Sequence, residues 1–468
     1  MTAPARPEEK LQGARRRPGS VARLLASGAL ALCCGPGDAP DPRPNVVLII
    51  IDTLRADWLQ SYGYPQPTSP ELDALAAQGL RFERAIAQSS WTRPSIGSVL
   101  TSQYPRTLGI YQEREHRLPG SFPTLAEVLR AAGYTTLGAT ANPNINSSFG
   151  FERGFDHYSD SDVLFPFMPE IARENSIASH PLQSAADLFR SLLDEIAVRE
   201  GPFYIQANIM EVHQTDDAAG NEFAGHFPRA TDPAYAEAVR LASSQVGRFV
   251  AELEKRPGFQ NTLFAIVSDH GHGLHDHPSI ASRTRRSRQA ARGHGWLLYE
   301  SQVLVPIILY STGDDLPRGS VIRRPVRLLD LMPTLLDLAG VPVPPTLQGR
   351  SLVGLWDETA AGPELPRHFV VETQFRGGDK VGVYGRNWKY FEYRRALPGT
   401  APRELQARGG GEDGAASNQI EQHPQVAANL ARVLAEWEAR HPRARPTLRS
   451  EPLPETEVKQ LKSLGYLE

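Results

Sequence analysis

The chain has 468 residues, of which 40% are hydrophobic and 22% charged, with a formal net charge of -3. That length accommodates one large domain with a smaller companion, and the near-neutral balance gives no global electrostatic reason to expect nucleic-acid binding. Both cysteines, Cys33 and Cys34, sit close to the amino terminus, so the rest of the chain carries no disulfide framework.

Arg15–Arg17 and Arg23 precede the apolar stretch Leu24–Leu32, which ends at Cys33 and Cys34. This is the layout of a secretory signal and is too short for an ordinary membrane span. The segment Leu30–Cys33 resembles a bacterial lipoprotein box, although Leu32 is larger than the small residue usual before the cysteine. Residues 1–34 are read as a signal peptide, with or without lipid attachment. Residues 35–44, rich in Pro and Gly, read as an irregular linker. The expected location is outside the cytoplasm, in the periplasm or cell envelope.

The run Asn45–Ile51 is almost wholly apolar and β-branched, and it stops at Asp52. Phe203–Ile209 leads to Glu211 and His213, and Thr262–Val267 runs through Ser268 into Asp269, His270, Gly271 and His272. Continuous apolar runs of this kind read as buried, parallel strands. Between them, Thr68–Gln78 has helix punctuation: Ser69 to cap, Pro70 at the first position and Gly79 to terminate. Pro123–Ala132, closed by Gly133, repeats that pattern and precedes a strand at Thr135–Ala139. Helical spacing returns at about 183–198 and 233–254, a strand at Val303–Tyr310 and a helix at Leu328–Leu338. Strands alternating with helices predict an α/β domain, residues 45–345, with a largely parallel sheet flanked by helices.

After Pro345 the character changes. Phe369–Thr373, Lys380–Tyr384 and Trp388–Tyr393 are short and aromatic, and predict a small antiparallel sheet. The Gly/Ala-rich stretch of about 398–419 reads as a mobile loop, and Val426–Arg440 as an amphipathic helix. Residues 346–468 therefore form a C-terminal α+β subdomain.

Open α/β sheets place ligands beyond the carboxyl ends of their strands, so Asp52, His213, Asp269 and His270 should meet at one sheet edge. Hard oxygens with one imidazole suit a divalent metal. The segment Asp52–Asp57 resembles that of the sulfatase family in the alkaline phosphatase superfamily. So do Tyr62–Tyr64, Thr68–Asp73, Ser89–Ser95, Val99–Thr101, Phe149–Phe155, Ser268–Gly271, Gly293–Gly295, Asp330–Val341 and Ser463–Tyr466. The ordered set, spanning about 44–355 and the extreme carboxyl terminus, is more specific than any one piece.

The resemblance implies an alkaline phosphatase-like fold and a metal-dependent hydrolase of phosphate or sulfate esters. It implies Asp52, Asp269 and His270 as metal ligands. It implies His213 and His294 as residues that contact the transferred group or protonate the leaving group, and Arg55 and His272 as substrate-binding residues. At the nucleophile the chain departs from its relatives. Sulfatases read Cys/Ser-x-Pro-x-Arg there and oxidise the first residue to formylglycine, whereas this chain reads Thr92-Arg93-Pro94-Ser95-Ile96. Thr92 is then the expected nucleophile and a further metal ligand, since coordination lowers a hydroxyl's pKa.

Thr53 stands where a second carboxylate is usual, and His272 where Glu is commoner. The cofactor is a divalent ion, Ca, Mg, Mn or Zn, with His272, His275 and His277 favouring Zn or Mn. The basic run Ser282–Arg292 can steer an anionic glycan, lipid or small-molecule ester. Two other readings stay open: a transferase moving a phospho-head-group to an alcohol, and a catalytically silent anion-binding member of the fold.

Overall fold

Strand β1 (Asn45–Ile51) is buried at every position. Val46, Leu48 and Ile50 pack into one apolar core, and Val47, Ile49 and Ile51 into a second core on the opposite face. A strand with two dry faces needs apolar side chains at successive positions, not at alternate ones. Each such side chain contributes roughly 2 kcal/mol of burial.

The computed structural model describes residues 43–458 except 112–115, 161–183, 214–220, 275, 282–291, 314, 358–361, 376–377, 396–400, 410–416, 451, 454 and 456–457. The signal segment and almost all of the linker lie outside the described residues. The further strands are β2 (Leu80–Ile86), β3 (His116–Arg117), β4 (Thr135–Thr140), β5 (His157–Ser159), β6 (Phe203–Ile209) and β7 (Thr262–Val267). They continue with β8 (Leu304–Ser311), β9 (Ser320–Ile322) and β10 (Val326–Arg327). Among the described residues the main sheet has the order β10-β2-β8-β7-β1-β6-β4-β5, with β9 beside β2. β1 runs parallel to β6 and to β7, and β8 is antiparallel to both its neighbours. The largely parallel sheet expected from sequence is present.

Helices cover both faces. On one lie α2 (Thr92–Thr101), α3 (Leu125–Ala131) and α6 (Leu331–Leu338), through Ile96, Leu125 and Leu335 among others. On the other lie α1 (Pro70–Gln78), α4 (Ala185–Ala197) and α5 (Pro233–Glu254), through Leu72, Leu188 and Val246. Ser69 does occupy the N-cap position of α1, but its hydroxyl accepts from the Gln60 amide and bonds Asp73 instead of capping. Gly79 ends the helix for a steric reason: an added Cβ would lie 2.0 Å from the Leu309 carbonyl oxygen on β8. α3 starts two residues later than expected, behind a reciprocal Thr124–Glu127 capping box.

The second sheet is antiparallel in the order β11 (Phe369–Thr373), β12 (Lys380–Tyr384), β13 (Trp388–Tyr393), β14 (Arg403–Ala407). Its first three strands match the expected limits. β14 corrects the expectation of a mobile loop over about 398–419. Leu405 is fully buried opposite Tyr390, and Glu404 accepts a 2.6 Å hydrogen bond from the Tyr299 hydroxyl. The Gly and Ala content on either side hid a short Glu404-Leu405-Gln406 alternation. α7 (Pro424–Arg440) lays Ala427, Leu430, Leu434 and Trp437 on this sheet. All described residues belong to one compact unit. Arg106 ties its parts together through Glu372 at 3.1 Å and Glu438 at 2.5 Å.

Candidate active site

Four neighbouring strands, β7, β1, β6 and β4, deliver side chains to one edge of the sheet. Asp52 follows β1 directly, and its amide donates to the Ile209 carbonyl at 3.0 Å. Asp269 and His270 follow β7, His213 closes the turn after β6, and Asn142 lies just past β4. Thr92 is the first residue of α2, with Trp91 as N-cap. There the helix dipole and unpaired backbone amides favour an anion. Ser95 anchors this helix end by donating to the Asp269 carbonyl at 2.6 Å.

Asp52, Asp269 and His270 are fully buried. One ligand-type atom from each falls within 4.8 Å of the others. The Thr92 hydroxyl sits 3.2 Å from His270 Nε2 and 3.4 Å from Asp52 Oδ2. His270 Nδ1 lies 2.9 Å from the Gly271 carbonyl. A carbonyl only accepts, so Nδ1 carries the proton and Nε2 presents a lone pair. Asp269 Oδ1 accepts from the amides of Thr53 and His270 at 3.3 and 2.9 Å. Thr53 makes its contribution from a left-handed conformation, φ +59°, uncommon for a β-branched residue and a form of strain found at functional sites.

Burial, with Asp269 beside it, pushes the Asp52 carboxyl up to about 8. Burial likewise pushes Asp269 up to about 7. Asp52 Oδ1 and Asp269 Oδ2 are buried without a hydrogen-bond partner. Two like-charged carboxylates with bare oxygens, and an imidazole nitrogen turned toward them, fit a divalent cation. Ligand-type side chains and open lone pairs are thus in place without rearrangement of the backbone.

Around this centre stand further imidazoles. The His294 ring centre is 4.7 Å from that of His270, 5.1 Å from His213 and 5.7 Å from His272. Burial holds His270 below the ordinary histidine range. Enclosure by the surrounding protein first, then the neighbouring imidazoles of His213 and His270 and the guanidinium groups of Arg55 and Arg292, takes His272 down to about 3. His277 is elsewhere, buried and 3.0 Å from the Ser301 hydroxyl. His275 and residues 282–291 of the basic run lie outside the described residues.

Arg55 is buried and its guanidinium is committed to neighbours. It forks onto Asp57 at 2.7 and 2.9 Å, meets Asp276 at 2.6 Å and donates to the His272 carbonyl at 3.1 Å. Ile96, at the position where the resemblance leads one to expect arginine, packs into an apolar core. Asn142 was not singled out from the sequence, yet its Nδ2 donates to Asp52 Oδ2 at 2.5 Å. The signal was present: Asn142 stands two residues past the end of β4, as Asp269 stands two past the end of β7.

The profile of the Sulfatase family matches residues 44–341. An arylsulfatase from Hemicentrotus pulcherrimus is 25% identical over 364 residues, covering 69% of this chain and 64% of that protein. Arylsulfatase A from Bos taurus is 28% identical over 419 residues, covering 78% of each. The solved structure of a phosphonate monoester hydrolase from Silicibacter pomeroyi superposes with a TM-score of 0.64 at 18% identity, over 87% of this chain and all of that one. The strand order, the sheet-edge carboxylates and the family match agree: the chain belongs to the sulfatase family of the alkaline phosphatase superfamily and is a sulfatase-like ester hydrolase.

Proposed function

We propose that this protein hydrolyses an anionic ester, phosphate in preference to sulfate, with Thr92 as nucleophile. The observation that carries this reading is the position of the Thr92 hydroxyl, at a helix amino terminus and within 3.4 Å of both His270 Nε2 and Asp52 Oδ2. Asp52, Asp269, His270 and Thr92 would hold a divalent ion, whether Ca, Mg, Mn or Zn, which would supply Lewis acidity and a lowered hydroxyl pKa there.

The chain's own groups account for the remaining steps. The amino end of α2 receives the non-bridging oxygens of the ester. Asp52 Oδ2 is placed to accept the Thr92 proton, and Thr92 Oγ1 attacks in line with the departing oxygen. His294 stands beside His270, and His213 beside His294; these two imidazoles protonate the leaving alcohol. Neutral His272 offers a hydrogen bond to the substrate. Arg55 serves that end of the site by holding the His272 carbonyl. Water then cleaves the Thr92 ester.

The preference for phosphate follows from the nucleophile. A formylglycine hydrate carries a second hydroxyl that expels sulfate, and a threonine ester has none. Initial rates on matched aryl phosphate diester, phosphate monoester and sulfate test the order, and faster sulfate cleavage would reject it. Trapping the labelled intermediate and locating it by peptide mass spectrometry tests the residue.

Export rests on the charged and apolar layout of residues 15–34. Among the described residues no helix is long and apolar enough to cross a membrane. Intact-mass analysis of membrane and soluble fractions distinguishes a cleaved product from an acylated one. A full-length cytoplasmic product would reject export.

A further inference from the structure

One residue beyond the nucleophile, Arg93 is fully buried in the first turn of α2. Its Nε donates to the Asn144 carbonyl at 2.9 Å, its Nη2 to Asn144 Oδ1 at 3.2 Å and its Nη1 to the His116 carbonyl at 3.3 Å. The guanidinium carbon lies 3.4 Å from the centre of the Phe149 ring. A planar fork bonded on three nitrogens and stacked on an aromatic face has little freedom.

Asn144 passes that constraint on. Its backbone amide and its Nδ2 both donate to Asn142 Oδ1, at 2.8 and 3.2 Å. Two donors on Oδ1 settle which way the Asn142 amide points, so Nδ2 must face away from them. It faces Asp52 Oδ2 and donates at 2.5 Å. The carboxylate is thereby held by one oxygen, while Oδ1 has no hydrogen-bond partner. The connection closes on itself, because Asp52 Oδ2 also receives the Thr92 hydroxyl, the residue bonded to Arg93.

We propose that Arg93 is a positioning residue for the cation site, setting the rotation of the Asp52 carboxylate through Asn144 and Asn142. The proposal rests on the reading of Asp52, Asp269 and His270 as cation ligands. Groups that orient metal ligands in this way are worth about 10- to 100-fold in metal affinity. An arginine whose only role was packing would change stability and leave that affinity alone.

The test is a double-mutant cycle on Mn²⁺ affinity, using the full chain stripped of cations and the electron paramagnetic resonance signal of free Mn²⁺. Arg93→Met and Asn142→Ala should each weaken binding at least about tenfold. The double variant should bind no more weakly than the worse single one, because both changes break the same chain of contacts. Arg93→Lys should behave like Arg93→Met, since it keeps the charge and loses the fork. Additive losses, unchanged affinity in Arg93→Met, or full rescue by lysine would each overturn the proposal. If Arg93→Met fails to fold, Asn144→Ala replaces it in the cycle and breaks the relay at its middle. Failure of the unaltered protein to bind Mn²⁺ would instead reject the cation site itself.

Discussion

The Thr92 hydroxyl lies 3.2 Å from Nε2 of His270, although 178 positions of chain separate the two residues. The contact exists because α2 starts at the edge where β7 ends, and Ser95 fastens the helix to the Asp269 carbonyl. It puts a nucleophile-type oxygen beside the lone pair of a metal-ligand-type nitrogen.

Replacing Asp269 with Asn should remove the cation without unfolding the chain. Asn keeps an oxygen that can accept from the Thr53 and His270 amides and replaces a carboxyl whose ionisation burial opposes, so the cation-free variant should melt no lower than the cation-free parent. Elemental analysis should show loss of the divalent ion, and turnover should fall with it. Full occupancy in the variant would exclude Asp269 as a ligand.

Cation binding should strengthen as pH rises toward 8. Burial raises the carboxyls of Asp52 and Asp269 to about 8 and about 7 in the cation-free protein. The folded state then holds protons that the unfolded chain has released, from near pH 4 upward. Stability from these two groups is complete below that point and is lost as pH rises through 7 and 8. A divalent cation takes the place of those protons. The rise in melting temperature on adding metal should therefore be larger at pH 8.5 than at pH 6, as differential scanning calorimetry would show. A shift that shrinks with pH would contradict the assignment.

Thr92→Ala should lower the rate by on the order of a thousandfold or more, as loss of a member of a nucleophilic machine does. Thr92→Cys should stay an unmodified cysteine, because Ile96 removes the arginine of the modification motif and is buried in the core. Peptide mass spectrometry reads the second outcome directly. A formylglycine mass at position 92 would show that the motif change is immaterial.

Arg55→Met should destabilise the fold by about 1.5–3 kcal/mol, the range for hydrogen bonds to charged groups. The value should stay below that of a fully buried ion pair, because Asp57 is more than half exposed and reaches water unaided. Urea denaturation measures the loss, and cation content should be unchanged. A variant as stable as the parent would show that the Asp57 and Asp276 contacts contribute nothing.

The sequence by itself determined the central strands and the metal-type residues. Asn45–Ile51 and Thr262–Val267 are unbroken apolar runs, and such runs are stable only with both faces covered, which fixes a buried parallel sheet. The residues that follow them then fall at the carboxyl edge of the sheet by topology, so the meeting of Asp52, Asp269 and His270 there was legible without coordinates. The three aromatic strands from Phe369 to Tyr393 were legible for a similar reason: turn residues separate them. The structure alone decided what depends on contacts between distant segments. β14 forms because Leu405 finds Tyr390, not because its own five residues demand a strand. Ser69 gives up its capping bond for Asp73 in the first turn of α1 and for the amide of Gln60, which reaches it from outside the helix. Arg55 is committed to Asp57 and Asp276, and Asn142 to Asp52, through partners up to 221 positions away. Local pattern specifies which elements form and which residues stand at their ends. The partner of a polar side chain depends on the three-dimensional meeting of elements, and only the tertiary structure supplies that.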